Sequence, residues 1–338
     1  MRAATFFDGE EWREGTLVEL DGRMLLRDET PSAALPRFDG AIIGGVTDHH
    51  VHLQLVEAAL LSRSRLGRVI DLGGDPSTLS QLAAVHNSGR SGPSGSSGGV
   101  STPEPLDSPE SCTRRARVEF AGAFLTPVGG YPSDRSWAPA GSVRELSTPA
   151  EAASAVAEMA EAGATRVKVA SNSTAGPVFD DEVFRAIVAA AGSRGLPVVA
   201  HAEGAGQARR AARLGARMLA HSPFTERLTD AEISEQVASV TWISTLSIHD
   251  TAAREVAIDN VRRFHAAGGV VRYGTDMGNG PTPVDLNPLE VAALREAGID
   301  GLDLLHALAP ADPRDAGSVL LQLPDPASDP LDARLLKV

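Results

Sequence analysis

The sequence predicts an α/β protein: a (β/α)8 TIM-type barrel with a small β-sandwich-like appendage. Three observations support this prediction. From about residue 41, short apolar runs alternate with amphipathic helical segments, a pattern typical of βα units around a parallel sheet. A chain of 338 residues also has room for one barrel of about 250 residues and a small additional unit. Finally, no Gly-x-Gly-x-x-Gly motif follows the first predicted strand, which disfavours a dinucleotide-binding fold.

Eight barrel strands can be placed by their apolar runs, and helical segments separate most of them. The predicted strands are residues 41–52, 68–72, 117–125, 165–170, 197–201, 216–221, 239–245 and 270–276. The predicted helices are residues 149–162, 180–194, 206–214, 230–237 and 252–267. The helix at 180–194 has acidic residues in its first turn and ends at Gly195, as helix start and stop signals require.

The two ends of the chain predict the appendage. Residues 6–27 form short strands, and the turn at Asp21-Gly22 between apolar runs is a hairpin signal. Residues 318–323 form one more apolar strand, which we expect to return and pair with the N-terminal strands. We therefore assign residues 1–40 and 312–338 to the appendage and residues 41–311 to the barrel.

Composition excludes several classes of function. The net charge of −13 argues against nucleic acid as a partner, because phosphate binding needs clustered lysine and arginine. A single cysteine, Cys112, excludes an internal disulfide and a cysteine-rich zinc site. We see no secretory signal and no membrane span, so we expect a cytoplasmic protein that acts on a small molecule, whose homo-oligomeric state the sequence leaves open. Residues 87–111 are rich in Gly, Ser and Pro and predict a mobile loop of unassigned role.

Residues of the types that bind metals stand at the ends of four predicted strands. His50 and His52 are two apart on a strand and therefore point to the same side. His201, His221 and Asp276 close the fifth, sixth and eighth strands. Because barrel active sites lie at the carboxyl ends of the strands, this agreement predicts a metal site there.

Lys168, near the end of the fourth predicted strand, is a further candidate. The chain has two lysines, Lys168 and Lys337, among 31 basic residues, so arginine is its usual cation. A lysine that points into a barrel is costly unless it has a role. Unlike arginine, a desolvated lysine can lose its proton, and the neutral amine can take up carbon dioxide to form an anionic carbamate.

Together these motifs resemble the amidohydrolase superfamily, especially its imidazolonepropionase-like and prolidase-like dipeptidase branch. The resemblance follows the chain in order over nearly its whole length. It rests on Asp-x-His-x-His at 48–52, Asp-Leu-Gly-Gly at 71–74, Phe-Leu-Thr-Pro-Val-Gly-Gly at 124–130, the strand around Lys168, His-Ala-Glu-Gly at 201–204 with His221 twenty residues after His201, and Gly-Thr-Asp-Met-Gly at 274–278.

The resemblance implies a binuclear hydrolase that cleaves an amide-type C–N bond in a cyclic amide or a dipeptide-like substrate. His50, His52 and Asp276 would bind one divalent metal, with zinc expected for both ions. His201 and His221 would bind the second, and a carbamate on Lys168, formed from carbon dioxide, would bridge the two. The ions would activate a hydroxide, and Asp276 would act as the proton shuttle.

Substrate contacts are expected from loops on the same face, with Tyr131, Arg135, Trp137 and His249 as candidates and Asn172, Phe224 and Met277 as weaker ones. Two alternatives remain open. A mononuclear deaminase of the same superfamily usually has a glutamate three residues after the fifth-strand histidine, whereas Glu203 is two after His201. A metal-binding barrel without catalysis would be expected to have lost Asp276 or a histidine.

Overall fold

A computed structural model describes residues 1–20, 22–88, 116–315 and 317–336. Cys112 and all but the first two residues of the loop predicted at 87–111 lie outside these ranges. The strands are β1 (Arg2–Phe7), β2 (Trp12–Leu20), β3 (Arg23–Arg27), β4 (Arg37–Gly44), β5 (Val46–Val51), β6 (Leu66–Asp71), β7 (Arg117–Phe120), β8 (Phe124–Pro127), β9 (Val143–Leu146), β10 (Val167–Asn172), β11 (Val198–Glu203), β12 (Met218–Leu219), β13 (Thr241–Ile243), β14 (Val271–Arg272), β15 (Leu320–Leu323) and β16 (Arg334–Leu335). The α-helices are α1 (Pro76–Asn87), α2 (Pro149–Glu161), α3 (Asp181–Gly192), α4 (Gln207–Leu214), α5 (Asp230–Val237), α6 (Thr251–Ala266), α7 (Pro288–Glu296) and α8 (Gly301–Leu308).

The N- and C-terminal strands form one mixed six-stranded sheet, in the order β16-β15-β4-β1-β2-β3. The hairpin of β2 and β3 pairs Val18 with Leu25, as its apolar runs predict. The C-terminal β15 returns antiparallel to β4, as we expected from its sequence. We expected a sandwich-like appendage, and its strands form one hydrogen-bonded sheet around a small core.

The central strands form two parallel sheets. One has seven strands in the order β14-β13-β12-β11-β10-β8-β9, and the other has three in the order β5-β6-β7. Hydrogen bonds connect the two sheets at two places: Thr165 N, just before β10, donates to Phe120 O on β7 at 2.9 Å, and His49 N on β5 donates to Tyr273 O, just after β14, at 3.0 Å. The edge strands β5 and β14 are therefore linked, and so are the edge strand β7 and the inner strand β10.

Each of the eight predicted strands overlaps an observed one, but two of them are divided, and β9 was not predicted. The prediction of one strand over 41–52 is wrong, because β4 belongs to the terminal sheet and β5 to a parallel sheet. The chain passes from one to the other at Gly44 and Gly45, where a side chain would collide with the backbone of Ala311 and Gly67. The strand predicted over 117–125 is likewise divided into β7 and β8, and Gly122 lies between them with φ of +79°.

Helices cover the parallel sheets and start at capping residues. Thr148 and Thr229 form capping boxes with Glu151 and Glu232, so that side chains satisfy the first free amides of α2 and α5. The helix predicted from residue 180 begins as expected, because the Asp180 side chain accepts a hydrogen bond from Val183 N. Within the described ranges, no helix combines the length and apolar character needed to cross a membrane.

Candidate metal centre

Six predicted metal-type residues come together on the carboxyl side of the parallel strands, and all six are buried. His50 lies at the end of β5 and His52 directly follows it, whereas His201 is in β11. His221 and Asp276 follow β12 and β14. The remaining member is Lys168, on β10. Because parallel strands end at the same edge, residues far apart in sequence meet here.

Lys168 is placed deeper than the sequence suggested. We expected it near the end of its strand, but it is the second residue of β10, and His201 pairs with Ala170 rather than with Lys168. Lys168 therefore starts two residues, or about 6.6 Å, below the level of His201. Its Nζ lies 5.8 Å from the centre of the Phe124 ring, and its charge interacts with His50 and Asp276.

His50, His52 and Asp276 form a compact group whose ligand atoms lie within 4.8 Å of one another. Nε2 of His50 and Nε2 of His52 lie 3.2 and 3.1 Å from Oδ1 of Asp276. Despite this proximity, Oδ1 has no partner in hydrogen-bonding geometry among the described residues, although it is buried. A buried carboxylate oxygen without a partner carries a large cost unless a cation balances it.

Backbone carbonyls fix the tautomer of both histidines. His50 Nδ1 donates to Ala220 O at 2.8 Å, and His52 Nδ1 donates to Gly73 O at 3.0 Å. Since a carbonyl oxygen only accepts, each Nδ1 carries a proton, and in the neutral imidazole each Nε2 keeps a free lone pair. Two imidazole nitrogens and one carboxylate oxygen that converge in this way fit a divalent ion such as zinc.

Charges near this group shift its ionisation. Burial lowers the pKa of His50 well below its usual value, and the positive Lys168 lowers it further. Burial would also lower the pKa of His52, but the adjacent Asp276 carboxylate raises it above the usual value. Although burial opposes ionisation of Asp276, its interactions with the imidazoles of His50 and His52 hold its pKa well below the usual range. Asp276 is therefore a carboxylate at neutral pH.

Two buried aspartates that we had not assigned to the site support its geometry. Asp48 accepts hydrogen bonds from Thr275 N and Thr275 Oγ1, at 3.1 and 2.6 Å, and so fixes the backbone just before Asp276. Asp71 accepts from Gly73 N at 2.9 Å, which orients the carbonyl that binds His52. Both aspartates belong to sequence motifs that we had noted, but nothing local shows which backbone groups they contact.

His201 and His221 form a second group beside the first. Their ring centroids lie 4.9 Å apart, and those of His221 and His50 lie 4.8 Å apart. His201 Nε2 lies 3.0 Å from Glu203 Oε2, which leaves its Nδ1 available as a ligand. His221 Nδ1 lies 2.9 Å from the hydroxyl of Thr245, which leaves its Nε2 available.

Thr245 is held in an unusual conformation. Its φ of 44° is in the left-handed region, which a β-branched residue rarely adopts. The carboxylate of the buried Glu290, on α7, accepts hydrogen bonds from the next two amides, Leu246 N and Ser247 N, at 2.8 and 2.7 Å. Glu290 thus fixes the turn that presents the Thr245 hydroxyl to His221. The roles of Glu290 and Thr245 could not be predicted from the sequence, because Glu290 lies far from this turn along the chain.

Lys168 is fully enclosed, and burial lowers its pKa to about 7. Asp276 and Asp71 act in the opposite direction by favouring the charged ammonium. At neutral pH a large fraction of Lys168 is therefore the neutral amine, in contrast to an exposed lysine.

Aromatic side chains lie beside the candidate metal ligands. Tyr131 lies 5.1 Å from His201, and Trp137 lies 6.4 Å from His52, measured between ring centroids. Phe224 stacks on His249 at 4.1 Å. The buried Nε2 of His249 has no hydrogen-bond partner among the described residues, so it is free for a ligand.

The other proposed contact residues differ in their positions. The guanidinium of Arg135 lies 5.7 Å from the Tyr131 ring and 3.3 Å from Asp134. Asn172 donates to Glu203 at 2.7 Å and so belongs to the support of His201. Met277 is completely buried and bonded to the backbone of β5, which gives it a structural position.

Comparisons with known proteins give the fold. No protein-family model matches the chain, and no curated protein matches it. Solved structures match over nearly the whole chain. A Xaa-Pro dipeptidase with bound methionine has a TM-score of 0.69 at 18% identity and covers 99% of this chain and 97% of its own. The A. niger ochratoxinase has a TM-score of 0.70 at 15% identity, with coverage of 100% and 95%. Phenylurea hydrolase B has a TM-score of 0.69 at 18% identity, with coverage of 99% and 95%. At these identities the likeness shows a shared fold, which is the fold that the resemblance of the motifs led us to expect.

Proposed function

We propose that this chain is a metal-dependent hydrolase that cleaves an amide-type C–N bond, with Asp276 as the proton shuttle. The observation that carries the proposal is the convergence of two imidazole lone pairs on a buried carboxylate oxygen that has no hydrogen-bond partner among the described residues. Divalent ions bound at the site would lower the pKa of a water molecule to about 7 and polarise the substrate carbonyl.

The scaffold we propose is a closed (β/α)8 barrel. In the described residues, parallel strands run from β5 through β6 and β7, and from β10 through β14. The contacts of Thr165 with Phe120 and of His49 with Tyr273 join these two series at two places. Closure would bring all eight strand ends around one site, which is where barrel enzymes place their catalytic residues.

We propose two zinc ions per chain. His50, His52 and Asp276 would hold the first, and His201 and His221 the second. Lys168 would bridge them after its neutral amine adds to carbon dioxide, forming a N–C bond and releasing one proton to solvent. The resulting carbamate is an anion, so it suits a position between two cations better than an ammonium does.

Asp276 would accept a proton from the attacking water and return it to the leaving nitrogen. Its low pKa keeps it ionised and ready to accept. In Asp276→Asn the fold should persist, because asparagine also tolerates a left-handed backbone such as the φ of 54° observed here.

The substrate we propose is a small dipeptide-like molecule or a cyclic amide. Tyr131, Trp137 and His249 offer ring faces and a free nitrogen beside the metal group. Arg135 extends over Tyr131 and would bind a carboxylate with two parallel hydrogen bonds. The names of the structural neighbours, a dipeptidase, an ochratoxinase and a phenylurea hydrolase, support cleavage of a C–N bond.

A hydrolysis screen tests the proposal. The zinc-loaded protein is incubated with a panel of dipeptides, hydantoins and lactams, and new amines or ring-opened products are detected by mass spectrometry. We expect turnover of at least one class by the wild type and none by Asp276→Asn. Release of ammonia from an amino-substituted ring instead, with one zinc per chain, would favour the mononuclear deaminase. A complete absence of turnover with two zinc ions bound would favour the non-catalytic barrel.

A further inference from the structure

A cavity opens at the amino ends of the parallel strands, opposite the ends that carry the candidate metal ligands. Its volume is about 560 Å³. The loop between α6 and β14 and the segment that follows α8 form its walls, together with Arg68 of β6 and Arg272 of β14. The loop between α6 and β14 precedes β14, whereas Asp276 follows it, so the cavity lies at the amino end of this parallel strand.

The two arginines are poorly neutralised. Arg68 donates through Nε to the hydroxyl of Thr47 at 3.2 Å, and its nearest carboxylate, Glu119, is 3.9 Å away. Glu119 is already paired with Arg166 at 2.7 Å and with Arg117 at 3.3 Å. Three guanidinium groups therefore share the Glu119 carboxylate, and that of Arg68 is the most distant from it.

The charge of Arg272 is neutralised even less than that of Arg68. It donates to the backbone carbonyl of His306, and no carboxylate among the described residues lies within 4.0 Å of it. Burial lowers the pKa of Arg272, and the charge of Arg68 lowers it further, so the two cations repel each other. Apart from the 3.9 Å contact of Arg68 with Glu119, neither guanidinium has a carboxylate within 4.0 Å in the part of the chain that the structure describes.

The acidic residues of the cavity lie at its exposed rim. Asp303 is 57% exposed in its side chain and lies 3.3 Å from His265, and Glu10 is also exposed. Water and salt screen charges in such positions strongly. By contrast, the side chain of Arg68 is only 34% exposed, so its charge acts more strongly on a molecule inside the cavity.

We propose that this cavity binds a small oxyanion, a phosphate or a carboxylate group, between Arg68 and Arg272. Two guanidinium groups offer planar pairs of N–H donors that match the oxygens of such an anion. An anion there would remove the repulsion between the arginines and supply the negative charge that Glu119 cannot. The site is independent of the proposed hydrolase activity.

Chemical labelling of the wild-type protein tests the proposal. Phenylglyoxal modifies free guanidinium groups, and peptide mass spectrometry gives the rate for each arginine separately. The reaction is followed in inorganic phosphate, in acetate and in chloride at equal ionic strength. Arg217 is the internal control, because it is exposed and also directly precedes a strand, β12, but does not line the cavity.

We expect phosphate or acetate to slow the labelling of Arg68 and Arg272 but not of Arg217. At about nine times the dissociation constant, the free fraction is one tenth, so labelling should be about tenfold slower. The anion that protects at the lower concentration identifies the preferred group. Anion binding at the metal centre leaves these rates unchanged, so the two sites are distinguished. If the labelling rate of Arg68 is the same in all three salts, and that of Arg272 is too, the proposal is overturned.

Calorimetry with substituted proteins provides a second measurement. Arg272→Gln removes one guanidinium, and Arg217→Gln is the matched control. We expect Arg272→Gln to lose the saturable phosphate binding that Arg217→Gln retains. Retention of the full binding heat and stoichiometry by a folded Arg272→Gln would also overturn the proposal.

Discussion

The contact between Thr245 and His221 gives a direct test of the proposal that His221 binds a second metal. Thr245→Val removes the hydroxyl and keeps a β-branched side chain of nearly the same shape. The 2.9 Å contact from His221 Nδ1 to Thr245 Oγ1 is then lost, and both residues are buried. The imidazole N–H would remain without a partner, so the ring would no longer be held with Nε2 toward the metal.

Loss of this contact should lower both the metal affinity and the stability of the protein. Loss of an outer hydrogen bond to a metal-binding histidine lowers metal affinity by about 10- to 100-fold, or about 1.4 to 2.8 kcal/mol. A buried unsatisfied N–H also lowers the free energy of unfolding by about 1 to 3 kcal/mol. Thr245→Ser keeps the hydroxyl, so it should retain most of the affinity and serves as the control.

Zinc competition with a chromophoric chelator measures the affinity of each equivalent, and urea denaturation of the metal-free protein measures the stability. We expect Thr245→Val to weaken the second equivalent and leave the first unchanged. If the valine variant binds both equivalents within twofold of the wild type, Thr245 does not orient His221, and the assignment of His221 as a ligand loses its structural support.

Four further outcomes are expected. The wild type should bind close to two zinc ions per chain by elemental analysis, and a saturating value near one would support the mononuclear alternative. Asp276→Asn should remain folded by circular dichroism and lose nearly all turnover, since an amide cannot shuttle a proton; substantial residual activity would contradict the mechanism. Lys168→Arg should lose the second zinc, whereas Lys168→Ala should regain activity in formate or acetate, and the absence of any rescue would count against a bridging carbamate. Glu290→Gln should lower the free energy of unfolding by about 1 to 3 kcal/mol, because an amide cannot accept from Leu246 N and Ser247 N at both atoms; an unchanged denaturation midpoint would exclude this role.

Sequence patterns predicted the positions of most parallel strands along the chain, because most of these strands are short apolar runs closed by a polar residue. The predicted strands were wrong where one apolar run contributes strands to two sheets. Residues 41–52 are continuous in composition, yet the chain changes sheets at Gly44 and Gly45. Only the approach of Ala311 and Gly67, both distant along the chain, makes those glycines necessary there.

The ligands of the candidate site were easier to predict than the residues that position them. His50, His52, His201, His221 and Asp276 have recognisable chemistry and stand at predicted strand ends. Glu290 and Thr245 carry no such signal, since a glutamate on a helix and a threonine after a strand are common. Their roles depend on hydrogen bonds across 44 and 24 positions of sequence, which no local pattern contains.

The left-handed backbone at Asp276 has a consequence for protein engineering. A non-glycine residue in this conformation costs about 1 to 3 kcal/mol, and the buried Oδ1 of Asp276 has no hydrogen-bond partner among the described residues, so Asp276→Gly would raise the melting temperature of the apoprotein. Directed evolution for heat resistance alone would therefore favour Asp276→Gly, the very change that removes the proposed proton shuttle. A library intended to improve heat resistance has to keep this position fixed, or select for turnover and thermal tolerance together.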